Sequence, residues 1–463
     1  MDSIIRCTSP IDGSVYAERE IFRDSALTNT VFGANEAQSA WARTSISERA
    51  KVCMAIVDEM LKMHDDIVPE LAWQMGRPVR YGAAELNGFA ERARHMIEIA
   101  PDALAAVWPS ETEGFDRYIE RVPVGVVLVI APWNYPYLTA INTVVPALMA
   151  GNAVLLKHAS QTLLVGERFQ TACDRAGVPA GLFRNLILSH EQTGNLLAEG
   201  LVNRVNFTGS VPSGRTIARA AAGSFTAVGL ELGGKDPAYV RSDANIAFSV
   251  EQLVDGAFFN SGQSCCGIER IYVNESVHDE FLESFVAITR EYVLGSPLDE
   301  EVTLGPMVSA ASAVFVADQI RDAVHKGASA LIDQTRFPAH SEGSPYMAPQ
   351  VLTGVDHSML VMTEESFGPV VGIMPVADDD EAVRLMNDSP FGLTASVWTA
   401  NTDDAYRVGA LIDTGTVFMN RCDYLDPALA WTGVKDTGYG VTLSALGYEH
   451  LTRPKSFNFR LSF

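Results

Sequence analysis

One short segment concentrates the most reactive side chains of the sequence. Cys265 and Cys266 follow the small-residue run FNSGQS (residues 259–264), and the whole chain of 463 residues has only 6 cysteines. A thiol attacks a carbonyl carbon as the thiolate, and an ordinary pKa of about 8.5 leaves it mostly protonated near neutral pH. If Cys265 is a nucleophile, another part of the chain must therefore supply a base.

The best candidate for that base is Glu231, upstream of the two thiols. It stands in the apolar and glycine-rich run LELGGK (residues 230–235). Such surroundings raise a carboxyl pKa towards neutrality, where the group works well as a general base. Taken alone, Cys265 could equally be a small buried side chain and Glu231 a structural carboxylate at a strand end.

Further motifs decide between these interpretations. In chain order they are PWNYP (residues 132–136), FTGS ending at Ser210, ELGGK ending at Lys235, GQSC ending at Cys265 and ESFGP (residues 365–369). Together, and over nearly the whole chain, they resemble the aldehyde dehydrogenase superfamily. The resemblance implies NAD(P)-dependent oxidation of an aldehyde to a carboxylic acid through a thiohemiacetal and a thioester on Cys265. Glu231 would assist hydrolysis, and the side-chain amide of Asn134 and the backbone N–H of Cys265 would hold the oxyanion.

A nucleotide site is expected at the segment FTGSVPSGR (residues 207–215), although the usual GxGxxG fingerprint is absent. A strand ending at Gly209 and a helix beginning near Pro212 would direct helix N-terminal amides at a pyrophosphate. A simple turn between a strand and a helix is the alternative. Arg215 stands where a P-loop has lysine, which argues against ATP. With the resemblance, the expected cofactor contacts are Pro132, Trp133, Lys157, Ser160, Gly209, Ser210, Gly214, Glu365 and Phe367.

The resemblance also gives individual roles to some of these residues. Lys157 would bind the adenosine ribose, and Glu365 the nicotinamide ribose. Three positions after that lysine the family often has a glutamate, which binds the ribose 2′-hydroxyl and repels a 2′-phosphate. Ser160 lacks this charge. We therefore expect NADP to be accepted at least as readily as in glutamate-bearing relatives, with NAD also usable.

Composition limits the other functions. A net charge of −23 and a pI near 4.7 disfavour nucleic acid and anionic membranes as partners. The longest apolar stretch, residues 123–133, is too short to span a bilayer, and the N-terminus lacks the pattern of a secretory signal. The few cysteines form no CxxC pair and the 9 histidines are scattered. We therefore expect a cytoplasmic protein with reduced thiols and no metal site.

The hydrophobic pattern predicts α/β architecture. A capping box at Ser45 and Glu48 opens a helix, and the first hundred residues are expected to be mainly helical. The predicted strands are residues 126–130, 153–157, 183–188 and 204–208, with helices at 139–150 and 161–176, the second closed by Gly177. This alternation is typical of a doubly wound sheet. The strictly alternating residues 457–463 predict a half-buried strand.

The resemblance implies an aldehyde dehydrogenase-like α/β fold with three parts. These are a Rossmann-type doubly wound cofactor domain (residues 1–103 and 124–233), an α/β catalytic domain (234–446) and a small β oligomerisation flap (104–123 and 447–463). The flap would join a homodimer or a homotetramer. The alternation of apolar residues in the tail agrees with such an interface.

The substrate is left open by the sequence. The expected pocket residues, which suit a small or medium aldehyde, are Tyr137, Thr139, Asn142, Ser264, Cys266 and Trp431. Gln263 and Arg270 are expected to support the loop of the nucleophile, while Glu269 could be structural or part of the pocket. Thr432 replaces a commoner glycine and could alter the rim. The run KHAS (residues 157–160) resembles succinate-semialdehyde dehydrogenases, but it belongs to the cofactor site.

Two other functions remain as alternatives. In a CoA-acylating semialdehyde dehydrogenase, CoA replaces water and the general-base glutamate is typically missing, so Glu231 favours hydrolysis. A catalytically silent member of the family would keep the fold without the chemistry. The presence of Cys265, Glu231 and Asn134 together argues against that reading.

Overall fold

The computed structural model describes residues 4–462. Its helices are α1 (Asp24–Trp41), α2 (Ile46–Leu61), α3 (His64–Met75), α4 (Gly82–Ala103), α5 (Pro136–Met149), α6 (Leu163–Arg175), α7 (His190–Ala198), α8 (Val211–Ala221), α9 (Ile246–Phe258), α10 (His278–Thr289), α11 (Ala310–His325), α12 (Leu360–Thr363), α13 (Asp379–Asn387), α14 (Thr402–Gly409) and α15 (Ser444–Glu449). None of the helices within residues 4–462 has the length and apolar character needed to cross a membrane.

The strands form two large sheets and two small ones. They are β1 (Ile4–Thr8), β2 (Val15–Glu20), β3 (Phe115–Pro123), β4 (Val126–Ala131), β5 (Ala153–His158), β6 (Phe183–Asn185), β7 (Arg204–Thr208), β8 (Ala227–Glu231), β9 (Asp236–Val240), β10 (Ile268–Asn274), β11 (Ser329–Ala330), β12 (Gln350–Thr353), β13 (Val370–Val376), β14 (Thr394–Trp398), β15 (Thr416–Met419), β16 (Gly438–Tyr439) and β17 (Thr452–Arg460).

A six-stranded sheet carries the predicted doubly wound pattern. Its order is β16-β8-β7-β4-β5-β6, and all pairs except β16 with β8 are parallel. Every residue of β4 is buried, as expected for a β-branched strand covered on both faces. The chain progresses outwards from β4 in both directions, so the switch point lies between β4 and β7. In open α/β sheets, ligands bind beside the carboxyl ends of the strands at this point.

The predicted boundaries in this region agree with the structure to within a few residues. The strand at residues 204–208 is observed as predicted, and the capping box of Ser45 and Glu48 forms at the start of α2. Gly177 follows α6 with a φ of +74°, the left-handed conformation of a helix-terminating glycine. The strand expected at 183–188 is shorter, since it ends at Asn185. The first hundred residues are mainly helical, but they begin with the unpredicted antiparallel pair of β1 and β2.

The second large sheet supports the loop that carries the two thiols. Its order is β11-β12-β13-β10-β9-β14-β15, and only β11 runs antiparallel to its neighbour. Both β9 and β10 are almost wholly buried. Helix α9 leads into the loop, and β10 follows directly after it. The loop therefore lies between a helix and a buried strand, which fix both of its ends.

The C-terminal tail forms a two-stranded antiparallel ribbon with β3. The register runs from Thr452 opposite Pro123 to Arg460 opposite Phe115. The strand begins five residues earlier than the predicted span 457–463 and ends at Arg460, while Phe463 lies outside the described residues. Phe459 is 49% exposed. The alternation therefore correctly indicated a strand, in which Phe457 is half-buried and stacks on Tyr118 while Phe459 is exposed within this chain.

Candidate active site

Cys265 and Glu231 face the same cavity. Its volume is about 510 Å³, and its walls come from α4, α5 and α9, the carboxyl ends of β7 and β8, and the loops around Cys265 and Trp431. A cavity of this size suits a small ligand. The structure therefore brings together two side chains that the sequence separates by a strand and a helix.

An unusual turn places Cys265 in the wall of this cavity. After α9 the backbone enters the left-handed region at Asn260 (φ +53°), Ser261 (φ +57°) and Gly262 (φ +69°). A Cβ atom at Gly262 would lie 2.2 Å from the carbonyl oxygen of Gly368, so no larger residue fits there. The small residues of this run allow the reversal. The reversal leaves Cys265 partly exposed, whereas Cys266 is buried.

Glu231 is the last residue of β8. Its carboxylate accepts hydrogen bonds from the hydroxyls of Thr442 (2.5 Å) and Thr208 (3.2 Å). Burial raises the pKa of this carboxyl, and the two hydroxyls together with the charges of Arg92 and Arg204 oppose the rise. The net direction is upward, as the apolar run predicted. The carboxylate is thus a stronger base than an ordinary glutamate.

Asn134 lies in the loop between β4 and α5 and is buried. Its Nδ2 donates one hydrogen bond to the carbonyl oxygen of Gln263, at 3.2 Å, just before the two thiols. A side-chain amide has two N–H groups, and the hydrogen bonds of the described residues use only this one. The second has no acceptor among the described residues, and Asn134 is not among the residues that line the cavity of Cys265.

A buried ion pair that the sequence analysis missed holds this loop. Arg77 donates to the backbone carbonyl of Asn134 at 2.5 Å and pairs with the carboxylate of Glu85. Glu85 also accepts the backbone N–H groups of Tyr137 (2.9 Å) and Leu138 (3.1 Å), and so caps the start of α5. No local motif marks Arg77 or Glu85, because their partners lie far along the chain.

We expect Glu85→Gln to destabilise the protein by about 3–5 kcal/mol, because it leaves the Arg77 charge buried without a partner. The measurement is the midpoint of urea-induced unfolding. The double variant Arg77→Met with Glu85→Leu should recover part of the loss, since it removes both charges. Equal stability of the wild type and Glu85→Gln would show that the pair does not anchor the loop.

A second cavity, of about 580 Å³, opens beside the N-terminus of α8. Trp133, Ser210, Glu365 and Phe367 line it, as expected for cofactor contacts. Helix α8 begins at Val211, and its N-cap residue makes no side-chain hydrogen bond to the first turn. The first-turn amides are therefore open to a pyrophosphate, which favours helix N-termini. These residues fit a dinucleotide.

Glu365 projects into the second cavity under tight constraints. Its Oε1 accepts the backbone N–H of Gly234 at 3.0 Å, and a Cβ at Gly233 would lie 2.2 Å from the same oxygen. Burial, followed by the charge of Glu269, raises the pKa of Glu365 to about 8. The glycine pair of the ELGGK run thus makes room for this carboxylate.

Glu269, which the sequence left open, has a structural position. Its carboxylate accepts hydrogen bonds from Lys235 Nζ (2.5 Å) and from the backbone N–H groups of Ser366 and Phe367 (both 2.8 Å). Phe367 has a φ of +50°, and its ring meets Trp133 edge-on, with centroids 5.6 Å apart. Glu269 therefore holds the ESFGP loop in place. Arg270 was expected to support the loop of the nucleophile, but it donates instead to the backbone carbonyls of Lys235 (2.9 Å), Leu385 (3.3 Å) and Met386 (3.2 Å).

The remaining predicted cofactor residues do not line this cavity. Pro132 precedes Trp133, Lys157 is partly buried near the end of β5, and Ser160 is exposed just after it. Two glycines serve packing. A Cβ at Gly209 would lie 2.7 Å from the Phe207 ring, and a Cβ at Gly214 would lie 2.5 Å from Leu232.

The expected substrate pocket is largely observed, with one error. The residues that line the first cavity as predicted are Thr139, Asn142, Ser264, Cys266 and Trp431. Tyr137 does not line it, because α5 begins at Pro136 and its first turn directs Tyr137 into the core, where its ring stacks on Phe169. The sequence analysis also missed the charged residues Glu91, Arg92, Asp255 and Asp423, which line the same cavity.

Comparison with known proteins agrees with this arrangement. The family model described as aldehyde dehydrogenase family matches residues 2–457. An aldehyde dehydrogenase of Paenarthrobacter nicotinovorans is 35% identical over 98% of this chain and 99% of its own length. A betaine aldehyde dehydrogenase of Rhizobium etli (strain CIAT 652) is 32% identical, with 98% and 93% covered.

A solved structure gives the same result for the fold. The succinic semialdehyde dehydrogenase of Streptococcus pyogenes, in complex with NADP+, superposes with a TM-score of 0.93 at 28% identity, covering 98% of this chain and 100% of that one. The sheets and the antiparallel ribbon are therefore those of a known enzyme fold. The chain belongs to the aldehyde dehydrogenase family, and it is an oxidoreductase that uses NAD or NADP to oxidise an aldehyde to an acid.

Proposed function

We propose that Cys265, Glu231 and Asn134 carry out this oxidation by a hydrolytic, covalent mechanism. The observation that supports it is the single cavity that holds a partly exposed thiol and a carboxylate of raised pKa. A nucleophile and a base in one cavity are what formation and hydrolysis of a thioester require.

In the first step the Cys265 thiol gives its proton to a water molecule, its Sγ attacks the aldehyde carbon, and the carbonyl double bond opens to a thiohemiacetal oxyanion. The free N–H of the Asn134 side chain and the backbone N–H of Cys265 stabilise this oxyanion. A bound nicotinamide would supply the acceptor for the hydride that leaves the thiohemiacetal carbon as the oxyanion collapses to the thioester. Trp133, Glu365 and Phe367 would hold the nicotinamide end of the cofactor, and the first turn of α8 its pyrophosphate.

In the second step a water molecule attacks the thioester on Cys265. The carboxylate of Glu231 takes a proton from this water, the C–S bond breaks and the acid is released with the thiol restored. Thr442 and Thr208 orient the carboxylate by their hydrogen bonds. No acyl acceptor other than water is needed.

The test is an assay with butanal and either nucleotide, in the absence of CoA. We expect one reduced nucleotide and one molecule of butanoate for each aldehyde consumed. A reaction that starts only when CoA is added would instead support the acylating alternative. Nucleotide binding without turnover under either condition would support a catalytically silent protein.

We also propose that NADP is accepted because Ser160 places no negative charge beside a 2′-phosphate. We expect Ser160→Glu to weaken NADP binding by about tenfold or more while NAD binding changes little, since only the 2′-phosphate is repelled. Titration of the protein fluorescence with each nucleotide measures this. Ser160→Gln, which adds the same bulk without charge, is the control. Equal loss in both variants would indicate a steric effect.

The sequence-based expectations on assembly and location are kept as proposals. The ribbon of β3 and β17 has exposed apolar side chains at Phe115 and Phe459, which supports a homodimer or homotetramer formed through it. The proposed domain limits remain residues 1–103 with 124–233, 234–446, and 104–123 with 447–463. The negative charge and the reduced thiols support action in the cytoplasm.

The relatives leave the substrate open. The two whose names state a substrate act on betaine aldehyde, which is a cation, and on succinic semialdehyde, which is an anion. The identities to this chain are 32% and 28%, too close to favour one. The substrate of this protein must therefore be inferred from its own cavity.

A further inference from the structure

The substrate cavity is strongly acidic. Five charged side chains line it, one cationic and four anionic: Arg92, Glu91, Glu231, Asp255 and Asp423. Among the ion pairs of residues 4–462, none involves any of these five. The guanidinium of Arg92 donates instead to the carbonyl of Leu138 (3.1 Å) and the side-chain oxygen of Asn142 (3.3 Å). One cationic side chain therefore faces four carboxylates, none of which forms a salt bridge within residues 4–462.

Asp423 lies next to the nucleophile loop. Its Oδ1 accepts hydrogen bonds from Ser264 Oγ (2.8 Å) and Cys266 Sγ (3.0 Å), while Oδ2 has no donor among the described residues. Burial raises the pKa of Asp423 to about 6, and the nearby charge of Asp255 adds to the rise. Asp255 itself makes no side-chain hydrogen bond in the described part of the chain. Neither carboxylate forms a salt bridge within residues 4–462, and the charge of Arg77 only partly opposes the rise in the pKa of Asp423.

Tyr135 gives a second, independent indication of a ligand. Its ring lines the same cavity, and its hydroxyl oxygen is buried without a hydrogen-bond partner. An unsatisfied buried hydroxyl costs about 1–3 kcal/mol, which a bound polar group can recover. A phenol hydroxyl both donates and accepts a hydrogen bond, whereas an ionised carboxylate only accepts. A hydrogen-bond donor can therefore satisfy Asp423 and the Tyr135 oxygen together.

We propose that the cavity selects an aldehyde that carries a protonated amino group, with Asp423 and Asp255 as its charge partners and Tyr135 as a further hydrogen-bond acceptor. This inference rests on the proposed function, because the aldehyde carbon must reach Cys265. An ammonium supplies positive charge and N–H donors together. A carboxylate would instead add a further negative charge to the acidic wall that Glu91, Glu231, Asp255 and Asp423 form. Arg92 is engaged by two neutral acceptors, and its single positive charge offsets the four anionic side chains only in part.

The test compares kcat/KM of the wild-type enzyme for 3-aminopropanal, butanal and succinic semialdehyde. We expect 3-aminopropanal to exceed butanal by about tenfold or more, and butanal to exceed succinic semialdehyde, since a charge-assisted hydrogen bond contributes that much. Betaine aldehyde, a cation without N–H groups, should be a poorer substrate than 3-aminopropanal. Equal or higher kcat/KM for succinic semialdehyde would overturn the proposal.

Variants of the acidic wall identify the residues responsible. Asp255→Asn should lower the ratio of kcat/KM for 3-aminopropanal to that for butanal by about tenfold. Glu251→Gln, one turn earlier on α9 and exposed outside the cavity, removes the same charge and should leave the ratio unchanged. Tyr135→Phe should lower the ratio as well. Ratios that stay at the wild-type value in both cavity variants would contradict the assignment.

The rate of butanal oxidation distinguishes a failure of this inference from a failure of the proposed function. If butanal is oxidised without CoA but 3-aminopropanal is no better, the acidic wall does not select cations and the catalytic mechanism still holds. If no aldehyde is oxidised with NAD or NADP, the proposed function itself is wrong. Thermal unfolding of each variant shows that a lost preference does not come from a lost fold.

Discussion

Replacing Cys265 by alanine is expected to lower kcat/KM by about 10⁴-fold or more, because loss of a nucleophile removes the covalent route entirely. The neighbouring thiol cannot take over. Cys266 is 3% exposed and donates to Asp423, and its pKa lies well above the ordinary value through its contact with Cys265 and through burial. The assay is the steady-state formation of reduced nucleotide from butanal.

Cys266→Ser is the matched control. It keeps a hydrogen-bond donor towards Asp423, so the loop should keep its shape and activity should fall less than about tenfold. Mass spectrometry of the wild type after a short reaction should show the acyl group on the peptide that contains residues 265 and 266, and the Cys265→Ala enzyme should not be acylated. Full activity in Cys265→Ala together with its loss in Cys266→Ser would identify the other thiol as the nucleophile.

The sequence predicted the parts of this site that belong to local motifs. The strand before Pro132, the turn before Cys265 and the apolar surroundings of Glu231 are each encoded within a few neighbouring residues. Such segments combine β-branched runs, glycines and small residues whose conformational preferences are local. The candidate nucleophile, the candidate base and four of the nine expected cofactor contacts therefore came from the sequence and line the two cavities.

Other parts depend on contacts that no local pattern contains. Arg77 and Glu85 act through backbone groups of Asn134 and Tyr137, and only the packing of α4 against α5 brings them together. The acidic character of the pocket depends on Asp255 and Asp423, which come from separate elements. The error at Tyr137 arose from a smaller cause. The sequence analysis began this helix at residue 139, three residues after the observed start of α5 at Pro136. Tyr137 was therefore not recognised as a core-facing residue of the first turn.

The contrast between local motifs and distant contacts also explains why the sequence predicted the reaction class but not the substrate class. The proposed reaction uses the side chains of Cys265, Glu231 and Asn134, and each of them belongs to a short motif that can be recognised in the sequence. Selectivity depends on the sum of charges around a cavity, to which distant elements contribute one side chain each. The charge of the substrate becomes predictable only when Asp255, Asp423 and Arg92 are seen on the same wall.

Glu231→Gln is expected to separate the two halves of the reaction. A water molecule can take the proton of the Cys265 thiol when this carboxylate is absent, so the variant should still release a burst of about one reduced nucleotide per active site. Hydrolysis needs it, so the steady-state rate after the burst should fall by about 10²–10⁴-fold. Added hydroxylamine, which attacks a thioester without a general base, should restore turnover. Loss of the burst would show that Glu231 acts before the thioester forms.

The pH dependence of the wild type tests the same group. Because burial raises the pKa of Glu231, its basic form is lost as the pH falls through that raised value. The acid limb of kcat should therefore lie at a higher pH than the ordinary pKa of a glutamate. In Thr442→Val the carboxylate loses a hydrogen bond that stabilises its charge, so the limb should move further up. A limb that stays fixed in this variant would mean that another group sets it.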